Sequence, residues 1–273
     1  MKKVLTIAGS DSTGGAGIEA DLKTFQEYGT FGFASLASIV TMDPTIGWQH
    51  EVTSITAELL EKQLISALAG EAMDAVKTGM MGNEENIKVA ARVIKAHQIK
   101  QVVIDPVIAC KGTANILQPK SVDAIITDLL PLADIATPNL VEAGILSGLG
   151  DLETVDDMKA AAENIYRLGA KHVVVKGGHR LQADQAVDIF YDGKQFTVLA
   201  GERIDSDFNH GAGCTFSAAI AAGLAKGWTV LESVQTAKAF VAAAIKQGVL
   251  INPYVGHVWH GAYNQAERRM DHA

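Results

Sequence analysis

Asn209-His210-Gly211-Ala212-Gly213-Cys214-Thr215 runs without a break into the apolar, alanine-rich segment Phe216-Ser217-Ala218-Ala219-Ile220-Ala221-Ala222-Gly223-Leu224-Ala225. The pattern predicts a glycine turn feeding a helix. Two glycines flanking one alanine allow positive φ values and a close approach of backbone to ligand, and the unpaired N–H groups of the first helical turn then point into that space. Such a helix start favours a phosphate or a developing oxyanion, and it draws a thiol at Cys214 toward thiolate. Gly-x-Gly alone is equally a plain helix start, so the rest of the chain has to decide.

Working outward, strand-like runs alternate with amphipathic stretches. Residues 4–8 read as a buried strand stopping at Gly9, followed by the small-residue loop Ser10-Asp11-Ser12-Thr13-Gly14-Gly15-Ala16-Gly17 and a helix over 18–28. Residues 31–41 form a second strand, closed by Met42-Asp43-Pro44. A helix is expected over 57–69, and then a strand over 75–78 that ends at Gly79-Met80-Met81-Gly82. Asn83 caps a helix with Ile87, Ala90, Ala91 and Ile94 on one face. Strands over 102–104, 131–136 and 172–175 end at Asp105-Pro106-Val107, Thr137-Pro138-Asn139 and Lys176-Gly177-Gly178-His179, and residues 108–115, with Cys110, read as an exposed loop. A capping box at Thr154 opens a helix that stops at Gly169. Asp192-Gly193 marks a hairpin between runs 186–191 and 195–199, and helices over 213–225 and 230–247 follow.

This alternation predicts an α/β fold: a mostly parallel, doubly wound sheet in a three-layer α/β/α sandwich. The glycine and polar signals fall at strand carboxyl ends, which share one edge, where such sheets bind ligands.

The 273 residues are 48% apolar with a net charge of −8, enough for a large core, and no Pro- or Ser-rich linker divides them, so a single domain is expected. The acidic balance argues against nucleic acid and membrane surfaces as partners. Two cysteines make no disulfide framework, and neither a signal-peptide pattern nor a membrane-spanning run is present, which leads to the expectation of a cytoplasmic setting.

Three features suggest phosphate chemistry: the Gly211 to Cys214 turn, Asn139-Leu140-Val141-Glu142, and Lys176 at a strand end. Backbone N–H groups neutralise a transferring phosphoryl, a carboxylate organises Mg²⁺ through its waters, and a lysine follows the moving negative charge. Asn139 and Glu142 read equally well as a helix cap with a first-turn acid. Lys176 is the stronger signal, because a lysine ending a buried strand needs a partner. No P-loop string occurs.

Taken together, Leu5-Thr6-Ile7-Ala8-Gly9-Ser10-Asp11, Gly14-Gly15-Ala16-Gly17-Ile18, Ala20-Asp21-Leu22-Lys23-Thr24, Asp105-Pro106-Val107, Thr137-Pro138-Asn139-Leu140, Lys176-Gly177-Gly178-His179 and His210-Gly211-Ala212-Gly213-Cys214-Thr215 carry a resemblance that runs nearly end to end. The chain resembles the vitamin kinase branch of the ribokinase-like superfamily, which contains hydroxymethylpyrimidine kinases and bacterial pyridoxal kinases. The resemblance implies ATP as co-substrate, Mg²⁺ arranged by Asp105 and Glu142, and an anion hole at Gly211, Ala212, Gly213 and Cys214. It also implies nucleotide contacts from Asn139, Lys176, Gly177, Gly178, His179 and Gly213. Gly9, Ser10, Ala16, Gly17, Asp21, Asp43, Met80, Val107, Cys110 and His210 are expected on the vitamin side. It allows a monovalent cation as well, and a homodimer is the family expectation.

Most sugar kinases of the superfamily end the anion turn in an aspartate base, whereas Cys214 stands there, as in the vitamin branch. A thiol lowered by the helix start is expected to take the proton of a hydroxymethyl group. Where hydroxymethylpyrimidine kinases typically show Gln-Asn, this chain has Asp43-Pro44. A carboxylate suits a ring that donates, such as a B6 phenol or pyridinium. Cys110, read as part of a lid loop, is expected to add reversibly to pyridoxal's aldehyde, the alternative being a plain loop residue. These features favour 5′-phosphorylation of pyridoxal, pyridoxine and pyridoxamine, with hydroxymethylpyrimidine phosphorylation as the alternative.

Two other classes compete. Gly15-Ala16-Gly17-Ile18-Glu19-Ala20 matches the dinucleotide fingerprint Gly-x-Gly-x-x-Ala, but Gly15 lies six residues beyond the strand end, too far for the tight turn a pyrophosphate needs. A non-catalytic vitamin sensor would lack a phosphate-site residue, and none is absent apart from the Cys214 question. His257 and His260 are read as surface or interface residues, Trp48, Trp228 and Trp259 as packing residues, and 266–273 as a fraying tail.

Overall fold

The computed structural model describes residues 1–70, 72–108, 119–178, 181 and 184–265. In chain order the elements are β1 (Lys3–Asp11), α1 (Gly17–Glu27), β2 (Phe31–Asp43), β3 (Gln49–Ser54), α2 (Ala57–Ala67), β4 (Ala75–Thr78), α3 (Glu84–Ala96), β5 (Val102–Ile104) and α4 (Pro119–Ala124). They continue with β6 (Ile135–Ala136), α5 (Leu140–Ser147), α6 (Val155–Arg167), β7 (Val173–Lys176), β8 (Gln185–Tyr191), β9 (Phe196–Glu202), α7 (Ala212–Ala225), α8 (Val230–Lys246), β10 (Val249–Asn252) and β11 (Val255–His257).

Among the described residues nine strands form one sheet in the order β3-β2-β1-β4-β5-β6-β7-β8-β9. The six from β2 to β7 are mutually parallel, while β3, β8 and β9 are antiparallel additions at the two sides. The period-2 alternation of the strands assigns each side chain to one of two cores. Leu5, Ile7, Val76, Val102, Ile104, Val173 and Val175 meet Leu60, Leu64, Ile87, Ala143, Met158 and Ala161 of α2, α3, α5 and α6 on one face. Val4, Ala75, Val103, Ile135 and Val174 meet Phe25, Ala218, Ala221, Val234 and Phe240 of α1, α7 and α8 on the other. Three layers result, as the alternation of elements predicted.

Local differences from the sequence reading have clear causes. The strand expected over 131–136 shrinks to Ile135–Ala136 because Pro131 lies inside a 3-10 turn over Leu130–Leu132. β3 escaped notice because it is a polar, exposed edge strand without an alternating apolar pattern. β10 and β11 pair as a separate antiparallel hairpin. Its tip meets the β2–β3 tip, where the rings of Trp48 and Tyr254 stack at 4.6 Å.

Candidate active site

The carboxyl ends of β1, β4, β5, β6 and β7 open into a cleft of ≈ 1350 Å³ that runs on between β9 and α8. At its centre, Gly211 takes the left-handed conformation (φ 84°) and hands over to α7, whose first residues are Ala212, Gly213 and Cys214. The turn is wedged against the first loop. A β-carbon on Gly211 would sit 1.8 Å from the Gly15 carbonyl oxygen. Thr215 holds the turn from behind by donating its hydroxyl to the Gly211 carbonyl at 2.8 Å, and it pairs with His260 Nε2 at 3.0 Å.

Lys176, ending β7, reaches across the sheet edge to this turn. Its Nζ donates to Asp105 Oδ1 at 3.2 Å and lies 3.6 Å from where a Gly213 β-carbon would be. Burial works against the ammonium, but the carboxylates of Asp105 and Glu142 outweigh it and hold Lys176 above its ordinary pKa. Asp105, just past β5, also accepts from Thr137 Oγ1 (3.1 Å) and Ser217 Oγ (3.0 Å), so β5, β6, β7 and α7 are tied at one carboxylate. Glu142 closes a capping box: Oε2 accepts from the Asn139 N–H (2.8 Å) and Asn139 Oδ1 from the Glu142 N–H (3.0 Å). The cap reading of this pair holds, and the carboxyl nonetheless faces the cleft. Burial, reinforced by Asp105 and opposed by Lys176, pushes Glu142 up to about 7.

Gly9, Ala16, Gly17, Met80, Val107 and His210 line the cleft, as do Asn139, Gly177 and Gly178. His210 Nε2 lies 2.7 Å from Asp11 Oδ2. Burial works to raise Asp11, but hydrogen bonds from His210 and Thr13 hold its carboxyl well below the usual carboxylate range. Gly17 (φ 60°) packs under Gly9, where a β-carbon would come within 2.1 Å of the Gly9 carbonyl oxygen.

The structure corrects several expectations. Asp21 does not line the cleft. It is fully buried beneath it, accepting from Thr6 Oγ1 (2.6 Å) and Lys77 Nζ (2.9 Å). The Ser10 hydroxyl is committed to Glu19 Oε1 (2.6 Å) and also lies outside the lining. Asp43 is exposed at the β2–β3 tip, where its carboxylate accepts from the Thr45 N–H and hydroxyl; the neighbouring Met42 and His50 face the cleft instead. The half-buried Cys214 is not drawn toward thiolate as its helix start predicts: desolvation, offset only in part by Lys77 and the Gly17 N–H, pushes the thiol up to about 11. His257 and His260 are buried, not surface residues. Cys110, His179 and the tail 266–273 lie outside the described residues.

Sequence reading missed Lys77, Asp11 and the pair of Asp188 and Lys238, all of which line the cleft. Asp188 accepts from the Gly177 N–H at 3.0 Å and from Lys238 Nζ at 2.6 Å, which braces the loop after β7. A lysine inside the buried run Ala75-Val76-Lys77-Thr78 was the available signal, by the reasoning applied to Lys176. Among the described residues no three acidic, histidine or cysteine side chains form a metal cage. Two carboxyl groups, Asp105 and Glu142, fit Mg²⁺ shared with phosphates and water, since that ion takes few protein ligands. No helix among the described residues is long and apolar enough to cross a membrane.

Known proteins resemble the chain along almost all of its length. A pyridoxine kinase of Bacillus subtilis is 51% identical over 262 residues, which cover 96% of this chain and 97% of that one. A hydroxymethylpyrimidine/phosphomethylpyrimidine kinase of the same organism is 39% identical over 263 residues, 96% of each. The pyridoxal kinase of Staphylococcus aureus, solved in complex with AMP-PCP and pyridoxal, superposes with a TM-score of 0.92 at 50% identity, covering 97% of this chain and 95% of that one. The phosphomethylpyrimidine kinase family model matches residues 11–259, and the chain belongs to that family.

Proposed function

We propose that the chain transfers the γ-phosphoryl group of ATP to the 5′-hydroxymethyl group of pyridoxal, pyridoxine or pyridoxamine. The single observation that carries this reading is one continuous cleft with an anion turn, Gly211 to Cys214, at its midpoint. We place the small ring on the Met80, Val107 and His210 side of that cleft and the nucleotide along β9 and α8. The relatives that share about half of the sequence are named for B6 vitamers, and the pyrimidine kinase is more distant, which supports the choice of substrate.

In this reading the amides of the anion turn and the Lys176 ammonium meet the negative charge on the transferring phosphoryl. Mg²⁺, held by phosphates with Asp105 and Glu142, supplies further charge neutralisation when bound. Cys214 accepts the hydroxymethyl proton as thiolate. With a pKa of about 11, that thiolate is a minor form at neutral pH. Most of the acceleration then comes from positioning and charge stabilisation, as a loose phosphoryl-transfer transition state allows. A homodimer and a cytoplasmic setting complete the proposal.

ADP release with ATP and Mg²⁺, followed over pyridoxal, pyridoxine, pyridoxamine and hydroxymethylpyrimidine, tests it. Turnover is expected with the three B6 vitamers. Turnover with hydroxymethylpyrimidine alone would assign the chain to the pyrimidine branch.

A further inference from the structure

Lys176 and Asp188 stand directly opposite each other in the antiparallel pair of β7 and β8. Val174 and Phe190 lie in the core under α7 and α8, so Lys176 and Asp188, each two positions away, project from that same face of the sheet. Directly opposed residues of such a pair have β-carbons about 5 Å apart, well within the reach of a lysine. The ion pair that this register invites is not made. Lys176 Nζ goes to Asp105 Oδ1 at 3.2 Å, and Asp188 Oδ2 is taken instead by Lys238 Nζ of α8 at 2.6 Å.

Lys238 is held for this contact. Its stem lies over Gly201 of β9, where a β-carbon would come 3.1 Å from Cε, and its ammonium also donates to the Ala186 carbonyl at 3.1 Å. The other Asp188 oxygen, Oδ1, accepts the Gly177 N–H at 3.0 Å. Both oxygens of the carboxylate facing Lys176 are therefore engaged by other donors. Lys176 is left to Asp105, in a position where its Nζ lies 3.6 Å from the place of a Gly213 β-carbon. A mostly buried ion pair such as Lys238–Asp188 is weak evidence for stability, since apolar residues of similar volume commonly fold as well. Its effect on the neighbouring lysine is the more specific consequence.

We propose that Lys238 is a positioning residue for the transfer reaction: by occupying Asp188 it keeps that carboxylate from capturing Lys176, whose ammonium stays on Asp105 beside the anion turn. The inference rests on the reading of Lys176 as a phosphate-contacting lysine. Without the Lys238 charge, Asp188 is an unneutralised carboxylate opposite the nearest mobile ammonium, and Lys176 divides its time between two acids. The fraction of molecules with Lys176 at the anion turn then scales the apparent affinity for ATP directly.

The test is Lys238→Met, with Lys238→Gln, which keeps a hydrogen-bond donor but no charge, as the second variant if the first does not fold. If Lys176 remains at the anion turn in roughly one molecule in ten, kcat/KM for ATP should fall about tenfold. A crystal structure of the variant should show Lys176 Nζ within hydrogen-bond distance of an Asp188 carboxylate oxygen. The decisive readout is rescue: adding Asp188→Asn, which keeps an acceptor for the Gly177 N–H but removes the competing charge, should recover most of the lost kcat/KM. A merely structural brace would instead be weakened further by the second substitution. A double variant no better than Lys238→Met would overturn the inference, as would Lys176 Nζ still on Asp105 in the variant crystal. If Lys176→Met loses turnover while Lys238→Met keeps wild-type kcat/KM, only this inference falls. Full turnover in Lys176→Met would overturn the phosphate-contact reading and the inference with it.

Discussion

Gly211 packs so closely on Gly15 that a β-carbon on the former would lie 1.8 Å from the carbonyl oxygen of the latter. The Gly211 turn and the first loop are thus one unit: the backbone of the loop at Gly15 sets the position of the first amides of α7. Gly211→Ala should break this contact and also force an alanine into the left-handed region, which alone costs roughly 1–2 kcal/mol. The variant is expected to unfold at a lower temperature and to lose turnover out of proportion to that loss. Thermal melts and ADP-release kinetics check it, and wild-type kcat in Gly211→Ala would mean that the turn is not the phosphoryl site.

Lys176 and Glu142 should separate chemistry from folding. Glu142→Gln keeps an acceptor for the Asn139 N–H, since a capping box works with Gln as with Glu. Lys176→Met leaves Asp105 still paired with Thr137 and Ser217. Each substitution is nonetheless expected to lower kcat by ~10²–10³-fold, the scale of losing one charge-stabilising donor. Near-normal kcat beside near-normal melting in both variants would remove them from the phosphate site.

Asp43 gives the opposite expectation. Its carboxylate is exposed and taken up by Thr45 at the β2–β3 tip, so Asp43→Asn should leave the ranking of the B6 vitamers and hydroxymethylpyrimidine unchanged. Met42 and His50, whose side chains do reach the cleft, are the better places to look for selectivity. A clear gain of hydroxymethylpyrimidine turnover in Asp43→Asn would restore the carboxylate to the substrate's side.

What could be read from the chain alone follows a physical division. Alternating apolar runs are a local property, so β1, β4, β5 and β7 and the helices on both faces were legible, as was the shared edge where Gly9, Asp105, Asn139, Lys176 and Gly211 gather. Contacts between distant segments were not. Nothing local says that Asp21, in the middle of α1, points down to Lys77, and that Asp43, at the end of β2, turns out to Thr45. The Cys214 thiol was misjudged for the same reason. The helix start was visible in the sequence, but the desolvation that opposes it at the cleft wall was not. His260 likewise looked like a surface residue because its partner, Thr215, is 45 positions away.

That histidine should give the protein a measurable acid sensitivity. His260 is buried against Thr215, and burial lowers it from 6.5 to about 4, so the folded state holds it neutral where the unfolded chain would protonate it. Between those two values the unfolded state binds more protons. Stability therefore rises with pH through this window and is lost as the pH falls below about 6.5. From pH 7 to pH 5 the loss attributable to this one ring is about 2 kcal/mol. His260→Gln keeps a group able to bond the Thr215 hydroxyl but does not titrate there, so it should be less stable than wild type at pH 7 or equal to it, and should lose less on acidification. Urea unfolding at the two pH values measures both numbers. His50 and His257, also lowered by burial, are common to both proteins and drop out of the difference. An identical pH dependence in wild type and His260→Gln would mean that the ring titrates in the folded protein as it does in the unfolded chain.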